Sequence, residues 1–501
     1  MLLKLTVTAV LAGTLRGLSL GQSTHDTNLC CQQLYTSSIQ DRTVFPGSIA
    51  YNNFVHSYFA VNAQLRPTCV VQPLSTEDVS VAVQVLTRSF AEPCLFAVRS
   101  GGHTTFAGAS NIELGVTIDL SLMNRTIYDP DSGTATIQPG ARWAGVYETL
   151  QAQGVMAPGG RTSSVGVGGF LTGGGDSLYA ARVGLGCDSI ERYEIVLASG
   201  EAVNVSRRSH VDLLKALKGG SCNFGIVTQF EIGVFPAEDI WGGIVVYDPS
   251  FVSRYISAAH SFVENIPADP YASWTGFFIY NSTTGQTAIF TPLAYTRPGA
   301  RPDAFRDFYL IPNITDTFGF STVLEYTRGN DFAQGLRHVV QTGTYLNRKE
   351  VMQRVFDVLT EQTRIARSAV KDKPFTLLVI VQPWVPQFWN DSEARGGNVL
   401  GLERFNKNML NIAWDYSWED EADDGFFEDL AESARTQLDH YAKSIGAYNE
   451  YIYLDYADGT QNPLRGYGSK NLEFLRQVAR GYDPTGVFQY AAPGGFKLWR
   501  A

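Results

Sequence analysis

The sequence predicts an α+β fold in two units, and three observations carry that reading. Short strands alternate with amphipathic helices between Pro67 and Pro236, and two dense glycine clusters fall inside that stretch. From about residue 239 the chain turns to strands and helices rich in Tyr, Phe and Trp, without glycine clusters. The 501 residues, at ~150 per domain, allow two to four units and a core large enough to enclose a ligand. With 39 Lys+Arg against 49 Asp+Glu, a net charge of −10, 44% hydrophobic and 18% charged residues, the chain is neither disordered nor fibrous nor a basic nucleic-acid binder.

The opening MLLKLTVTAVLAGTLRGLSLGQ reads as a cleaved secretory signal over residues 1–21. Lys4 precedes an apolar run from Leu5 to Leu15, and small residues stand at Ser19 and Gly21. Arg16 interrupts the run, and no later stretch approaches ~18 uninterrupted apolar residues, so stable membrane insertion is not expected. An N-terminal arm, 22–62, leads into the first unit, 63–238. There CVVQP is a short strand, STEDVSVAVQVLTRSF a helix opening on a Ser/Thr cap, and LFAVRSGGHTTFAG a strand running into a loop. VTIDL and ATIQPGA follow as strands and RWAGVYETLQAQG as a helix. After the long glycine cluster come the strand YEIVLASGEAV and the block LLKALKGGSCNFGIVTQFEIGVFP. The second unit spans 239–447. In the tail, 448–501, YNEYIYLDYAD reads as a strand and NLEFLRQVARGYDPTG as a helix returning to the first unit. The acidic run EDEADD from Glu419 reads as a solvated loop.

An oxidising route makes the cysteines legible. Cys30, Cys31, Cys69 and Cys94 fall early and predict two disulfides tying the arm to the first unit, with three pairings open. Cys187 and Cys222 sit alone. No Cys-X-X-Cys or paired His spacing occurs and the seven His are scattered, so no metal site is expected. Asn124, Asn204, Asn281, Asn313 and Asn390 head glycosylation triplets consistent with a secreted glycoprotein.

Glycine is needed where backbone takes a positive φ or lets a bulky ligand reach its amides, and concave rows of amides hold phosphate anions. The loops 99–108 and 158–175 suit the cradle of a large phosphorylated cofactor. The usual dinucleotide fingerprint does not fit GVGGFLTGGG, which follows a Ser/Thr-rich loop and lacks an acidic partner at the expected distance. Taken alone, such turns are equally a structural device.

Four motifs, FAVRSGGHTTFAGAS, GGRTSSVGVGGFLTGGG, LKGGSCNFGIVTQF and YDPTGVFQ, closely resemble in order those of the FAD-linked oxidases of the berberine bridge enzyme type, within the vanillyl-alcohol oxidase superfamily. The resemblance spans roughly residues 30 to 500 and is thinnest in the second unit. It implies a PCMH-type FAD-binding domain of two subdomains, with a substrate domain built on an antiparallel sheet covered by helices. It implies FAD bonded covalently through His103, which would raise the flavin's reduction potential and keep the cofactor bound outside the cell. Relatives place a second linking Cys where this chain has Thr162, so a single bond is expected. Cys187 does not occupy that position and reads as a small buried hydrophobe. The remaining FAD contacts implied are Arg99, Ser100, Gly101, Gly102 and Gly108; Val165, Gly166, Val167, Gly168 and Gly169; Gly173, Gly174 and Gly175; and Asn223, Phe224, Gly225, Ile226 and Val227.

On the reacting side, YLDYAD at residues 453–458 is similar to the Tyr-Leu-Asn-Tyr-Arg-Asp pattern of plant members, which makes Tyr456 the candidate base. Ala457 replaces the Arg of that pattern, and a phenol of pKa ≈ 10 needs a nearby cation to ionise near neutrality. Without one, Tyr456 reads as an inward strand aromatic. Gln382, in LLVIVQPW, resembles a substrate-side residue that orients substrate. The expectation is a secreted, monomeric FAD oxidase, with a small-molecule substrate and dioxygen as partners, tailoring a fungal secondary metabolite. A carbohydrate oxidase and a redox-neutral cyclase or isomerase retaining FAD are the alternatives.

Overall fold

The computed structural model describes residues 24–88 and 94–501, so the signal expected over residues 1–21 lies outside the described residues. A first sheet orders the strands Thr43–Val44, Cys69–Val71, Val116–Asp119 and Phe96–Arg99, the last three parallel. Their runs are wholly or largely buried, as parallel strands covered on both faces require. Helix Thr76–Thr87, capped by Ser75 accepting from Asp78 N at 3.2 Å, buries Val79, Ala82, Val83 and Leu86. An antiparallel five-stranded sheet follows, Ile226–Gly233 at its centre.

Two disulfides staple the arm: Cys30 to Cys94 and Cys31 to Cys69. Neighbouring cysteines on helix Thr24–Tyr35 thus reach a strand of the first sheet and the approach to another. This selects one of the three pairings the sequence left open. Cys187 is a fully buried free thiol, as expected of a small hydrophobe. Asn124, Asn204, Asn313 and Asn390 are exposed, whereas Asn281 is half-buried with its Oδ1 accepting from the amides of Thr283 and Thr284.

The second unit is one mixed-length antiparallel sheet carrying four ten-residue strands, Gln286–Tyr295, Arg337–Leu346, Phe375–Trp384 and Met409–Trp418. Helices Val252–Asn265, Lys349–Ala369 and Asp424–Ser444 pack together over one face. Side chains alternate across a sheet. Leu377, Val379 and Val381 therefore join the main core, while Leu378 and Ile380 belong to a separate cluster with Ala413, Val340 and Tyr456. The register pairs Ile380 with Ala413 and Gln382 with Asn411, placing Gln382 and Asn411 side by side.

Two segments differ from the expected elements. After Tyr448–Asn449 the tail leaves the sheet, and Leu454–Tyr456 is a single 3-10 turn rather than strand. There Tyr453 OH donates to Asp455 Oδ2 at 2.8 Å and accepts from Asp176 N at 2.9 Å, contacts a straight strand could not make to its own neighbour. The acidic run from Glu419 is mostly exposed, but Asp424 at its end takes Trp418 Nε1 at 2.8 Å and pairs with Arg337. It opens a 21-residue helix instead of closing a loop.

Candidate functional site

A cavity of about 350 Å³ is lined by both units. The first supplies the loops around 100–106 and 160–172 and the turn 221–227; the second supplies Phe332, Val340, Ile380 and Asp415; the tail supplies Tyr453–Ala457 and Gly494–Lys497.

The two glycine loops cross backbone to backbone. A Cβ on Gly101 would stand 2.5 Å from Gly166 Cα, and one on Gly166 would stand 2.5 Å from Gly101 Cα. Gly102 adopts φ +63°, which glycine reaches at little cost. Ser100 locks the crossing by accepting from Gly168 N at 3.1 Å and donating to Pro139 O. Arg142 Nη2 donates to Gly101 O at 2.8 Å. Among the described residues none accepts a hydrogen bond from the amides of Gly101, Gly102, His103 and Thr104. Gly101 and Gly102 are buried, and an anionic diphosphate would supply acceptors for this run of consecutive amides. A Cβ on Gly169 would meet nothing within 4 Å, so a side chain there would take up room in the cavity. These features fit a large phosphorylated cofactor.

His103 stands at the wall of this space. Its ring stacks on Phe59 at 4.2 Å, and Phe59 also packs on His338 at 4.7 Å. His103 Nε2 lies 3.4 Å from Ser164 Oγ. Asp331 of the second unit accepts from Ser164 N and Ser164 Oγ, both at 3.1 Å, pinning that unit to the loop beside His103. Burial, reinforced by the Arg142 charge, lowers the imidazole pKa to about 4, so the ring is neutral near pH 7.

The expected residues divide. Ser100, Gly101, Gly102, His103, Val165, Gly166, Gly168, Gly169, Gly225, Ile226, Val227 and Tyr456 line the cavity, as does Thr162. Arg99 does not: it pairs with Asp119 at 3.5 Å, donates to Ser57 O at 3.0 Å and lies over the Tyr58 ring at 4.3 Å, holding the loop from behind. Gly108, Val167, Gly173, Gly174, Gly175 and Phe224 are likewise not among the residues that line the cavity. A Cβ at Gly173 would collide with the Asp455 carboxylate. Asn223 anchors the C-terminus, its Nδ2 donating to Gly220 O and Phe496 O, both at 2.9 Å.

Sequence reasoning missed Arg161. It is the only charged residue between positions 158 and 175, within the quoted GGRTSS motif, and that isolation was the available signal. Its Nη1 pairs with Asp176 Oδ2 at 3.1 Å, and its Nη2 donates to Tyr456 OH at 3.0 Å and to Gln382 Oε1. Gln382 in turn donates to Asn411 Oδ1 at 3.2 Å, and Asn411 to Thr342 Oγ1 at 3.0 Å. Burial works against the guanidinium, but Asp176 and Tyr456 outweigh it and hold Arg161 charged. Burial raises the Tyr456 phenol, with Arg161 opposing that rise. Burial likewise pushes the Asp455 carboxyl up to about 7. A phenol beside a fixed cation at a cavity wall can accept and return a proton.

The FAD binding domain family matches residues 67–206. The FAD-dependent monooxygenase sdcF of Emericella nidulans is 61% identical over 475 residues, covering 94% of this chain and 99% of that protein. The FAD-dependent monooxygenase drtC of Aspergillus calidoustus is 39% identical, covering 94% and 90%. Among solved structures, the berberine bridge enzyme of Eschscholzia californica superposes with TM-score 0.73 at 16% identity, covering 92% of this chain and 98% of that one. A xylooligosaccharide oxidase of Myceliophthora thermophila superposes with TM-score 0.72 at 21% identity, covering 92% and 99%. At these identities the structural likeness speaks for the fold.

Proposed function

Since this chain belongs to the family of FAD-dependent oxidoreductases that includes sdcF and drtC and shares the fold of the berberine bridge enzyme, we propose that it is a secreted, covalently flavinylated oxidase that tailors a small aromatic metabolite. The observation that carries this reading is the 3.0 Å contact from Arg161 to Tyr456 on the wall that His103 shares. Bound FAD supplies a two-electron acceptor for hydride from a substrate carbon, with dioxygen as the final oxidant and hydrogen peroxide as its product.

Tyr456 Oη takes the substrate proton, and the Arg161 charge favours the phenolate that must be present beforehand. Both polar atoms of Gln382 are engaged, one by Arg161 and one by Asn411, so Gln382 positions Arg161 rather than meeting substrate itself. Thr162 offers no thiol, leaving His103 as the single covalent anchor, with its neutral ring held on Phe59. Phe332, Val340 and Ile380 give the second unit's wall an apolar surface suited to a flat substrate. The two disulfides of the arm and the exposed glycosylation triplets support export.

Aromatic metabolites and oligosaccharides added anaerobically to the purified protein test the reading. Bleaching of the flavin band by an aromatic substrate, with one peroxide released per turnover when air returns, is the expected result. Bleaching by sugars alone would move the substrate class. Conversion without bleaching would replace the oxidase with a redox-neutral cyclase, and label from heavy dioxygen in the product would make it a monooxygenase.

A further inference from the structure

Lys497 is 2% exposed, yet among the described residues no carboxylate lies within ion-pair distance of its ammonium. Its Nζ meets only Cys222, the carbonyl oxygen at 3.3 Å and Sγ at 3.4 Å. An ammonium taken out of water without a counter-charge is strongly disfavoured. Lys497 and Arg161 are the two Lys/Arg side chains that line the cavity, and Arg161 is already paired with Asp176 at 3.1 Å. Lys497 is therefore the cavity's uncompensated cation.

Nor is it a wandering surface lysine. Asn223 holds the preceding carbonyl, of Phe496, at 2.9 Å, and Gln489 Oε1 accepts from the following amide, of Leu498, at 3.1 Å. Gln489 Nε2 closes the set on Asn223 Oδ1 at 3.0 Å. Three residues earlier, a Cβ on Gly494 would come within 2.6 Å of Ala109 O, so only glycine lets this segment lie on the end of the first glycine loop. The C-terminal segment is fastened where the two cofactor-side elements meet.

We propose that Lys497 binds the diphosphate of the dinucleotide cofactor, its ammonium completing the positive cradle begun by the free amides of residues 101–104. The proposal rests on the FAD reading above. The C-terminal segment thereby gains a binding role, and the buried Lys497, which has no acidic partner among the described residues, gains a counter-charge.

The test uses holoprotein carrying His103→Ala, from which flavin can dissociate, alone and combined with Lys497→Met or Lys497→Arg. Lys497→Met is expected to speed flavin release about 10- to 100-fold, the loss of one hydrogen bond to a charged group, while Lys497→Arg stays within a few-fold of the parent. In protein with His103 intact, Lys497→Met should shift the phosphorus resonances of the bound diphosphate and leave the visible flavin spectrum in place. Unchanged release and unchanged phosphorus resonances would overturn the proposal. So would equal losses in Met and Arg variants with both spectra disturbed, which is the signature of a merely structural residue. A colourless wild-type protein would instead defeat the FAD reading on which the proposal stands.

Discussion

Arg161 Nη2 lies 3.0 Å from Tyr456 OH although 295 positions separate the two residues in the chain. The plant pattern carries its cation next to the tyrosine, where this chain has only Ala457. Here the charge arrives from the second glycine loop instead, on the wall that Tyr456 shares.

Removing the phenol should stop proton transfer without disturbing the fold. Tyr456→Phe is expected to lower kcat ~10²- to 10⁴-fold, the usual contribution of a positioned base. Flavin content and melting temperature should stay as in wild type. A variant retaining more than half of the activity would remove Tyr456 from the chemistry.

The pH profile should report the cation. Because the phenolate is the active form, kcat/KM rises with pH through the Tyr456 pKa, which burial raises and Arg161 opposes. Arg161→Gln removes the opposing charge, so the rising limb should move to higher pH, by about one unit or more. Wild-type and variant limbs that coincide would show that Arg161 does not tune Tyr456.

For His103, the readout is colour. Wild-type protein precipitated in acid should give a yellow pellet, and His103→Ala should leave the flavin in the supernatant. Since the imidazole pKa is lowered to about 4, flavinylation should proceed equally well at pH 6 and pH 8. A colourless wild-type pellet would sink the linkage.

Asp455 sets a pH dependence of stability. Its carboxyl titrates at about 7 in the fold against about 3.9 when unfolded, so between those values the native state holds a proton the unfolded chain has lost. Stability from this group is full below pH ~4 and falls as pH rises to ~7. Asp455→Asn should therefore raise the melting temperature more at pH 8 than at pH 5. Equal shifts at both would contradict the assignment.

Glycines of opposite kinds make a paired test. Gly101→Ala forces a methyl to within 2.5 Å of Gly166 Cα and should abolish flavin retention. Gly145, exposed in helix Trp143–Gln151 with nothing within 4 Å of its Cβ position, should instead gain roughly 0.5–1 kcal/mol on mutation to Ala. Thermal melts and flavin absorbance distinguish the two.

Much of this protein was legible in its sequence because local rules govern it. The helix caps, the glycine clusters, the four motifs in family order and the four early cysteines each express a requirement met within a few residues. What the sequence could not settle was set by approach in space. The cysteine pairing depended on which strand lay beside the N-terminal helix. The strand Phe375–Trp384, buried along all but Thr376 and apolar on both faces, concealed that Gln382 looks toward Arg161 and not toward the helices. Arg99 and Asn223, read as cofactor contacts, hold the cradle and the C-terminus instead, because each finds its partners in elements far along the chain. The cation beside Tyr456 was invisible for the same reason. Electrostatic pairing acts over ångströms of space, and no spacing along the chain records that residues 161 and 456 share a wall.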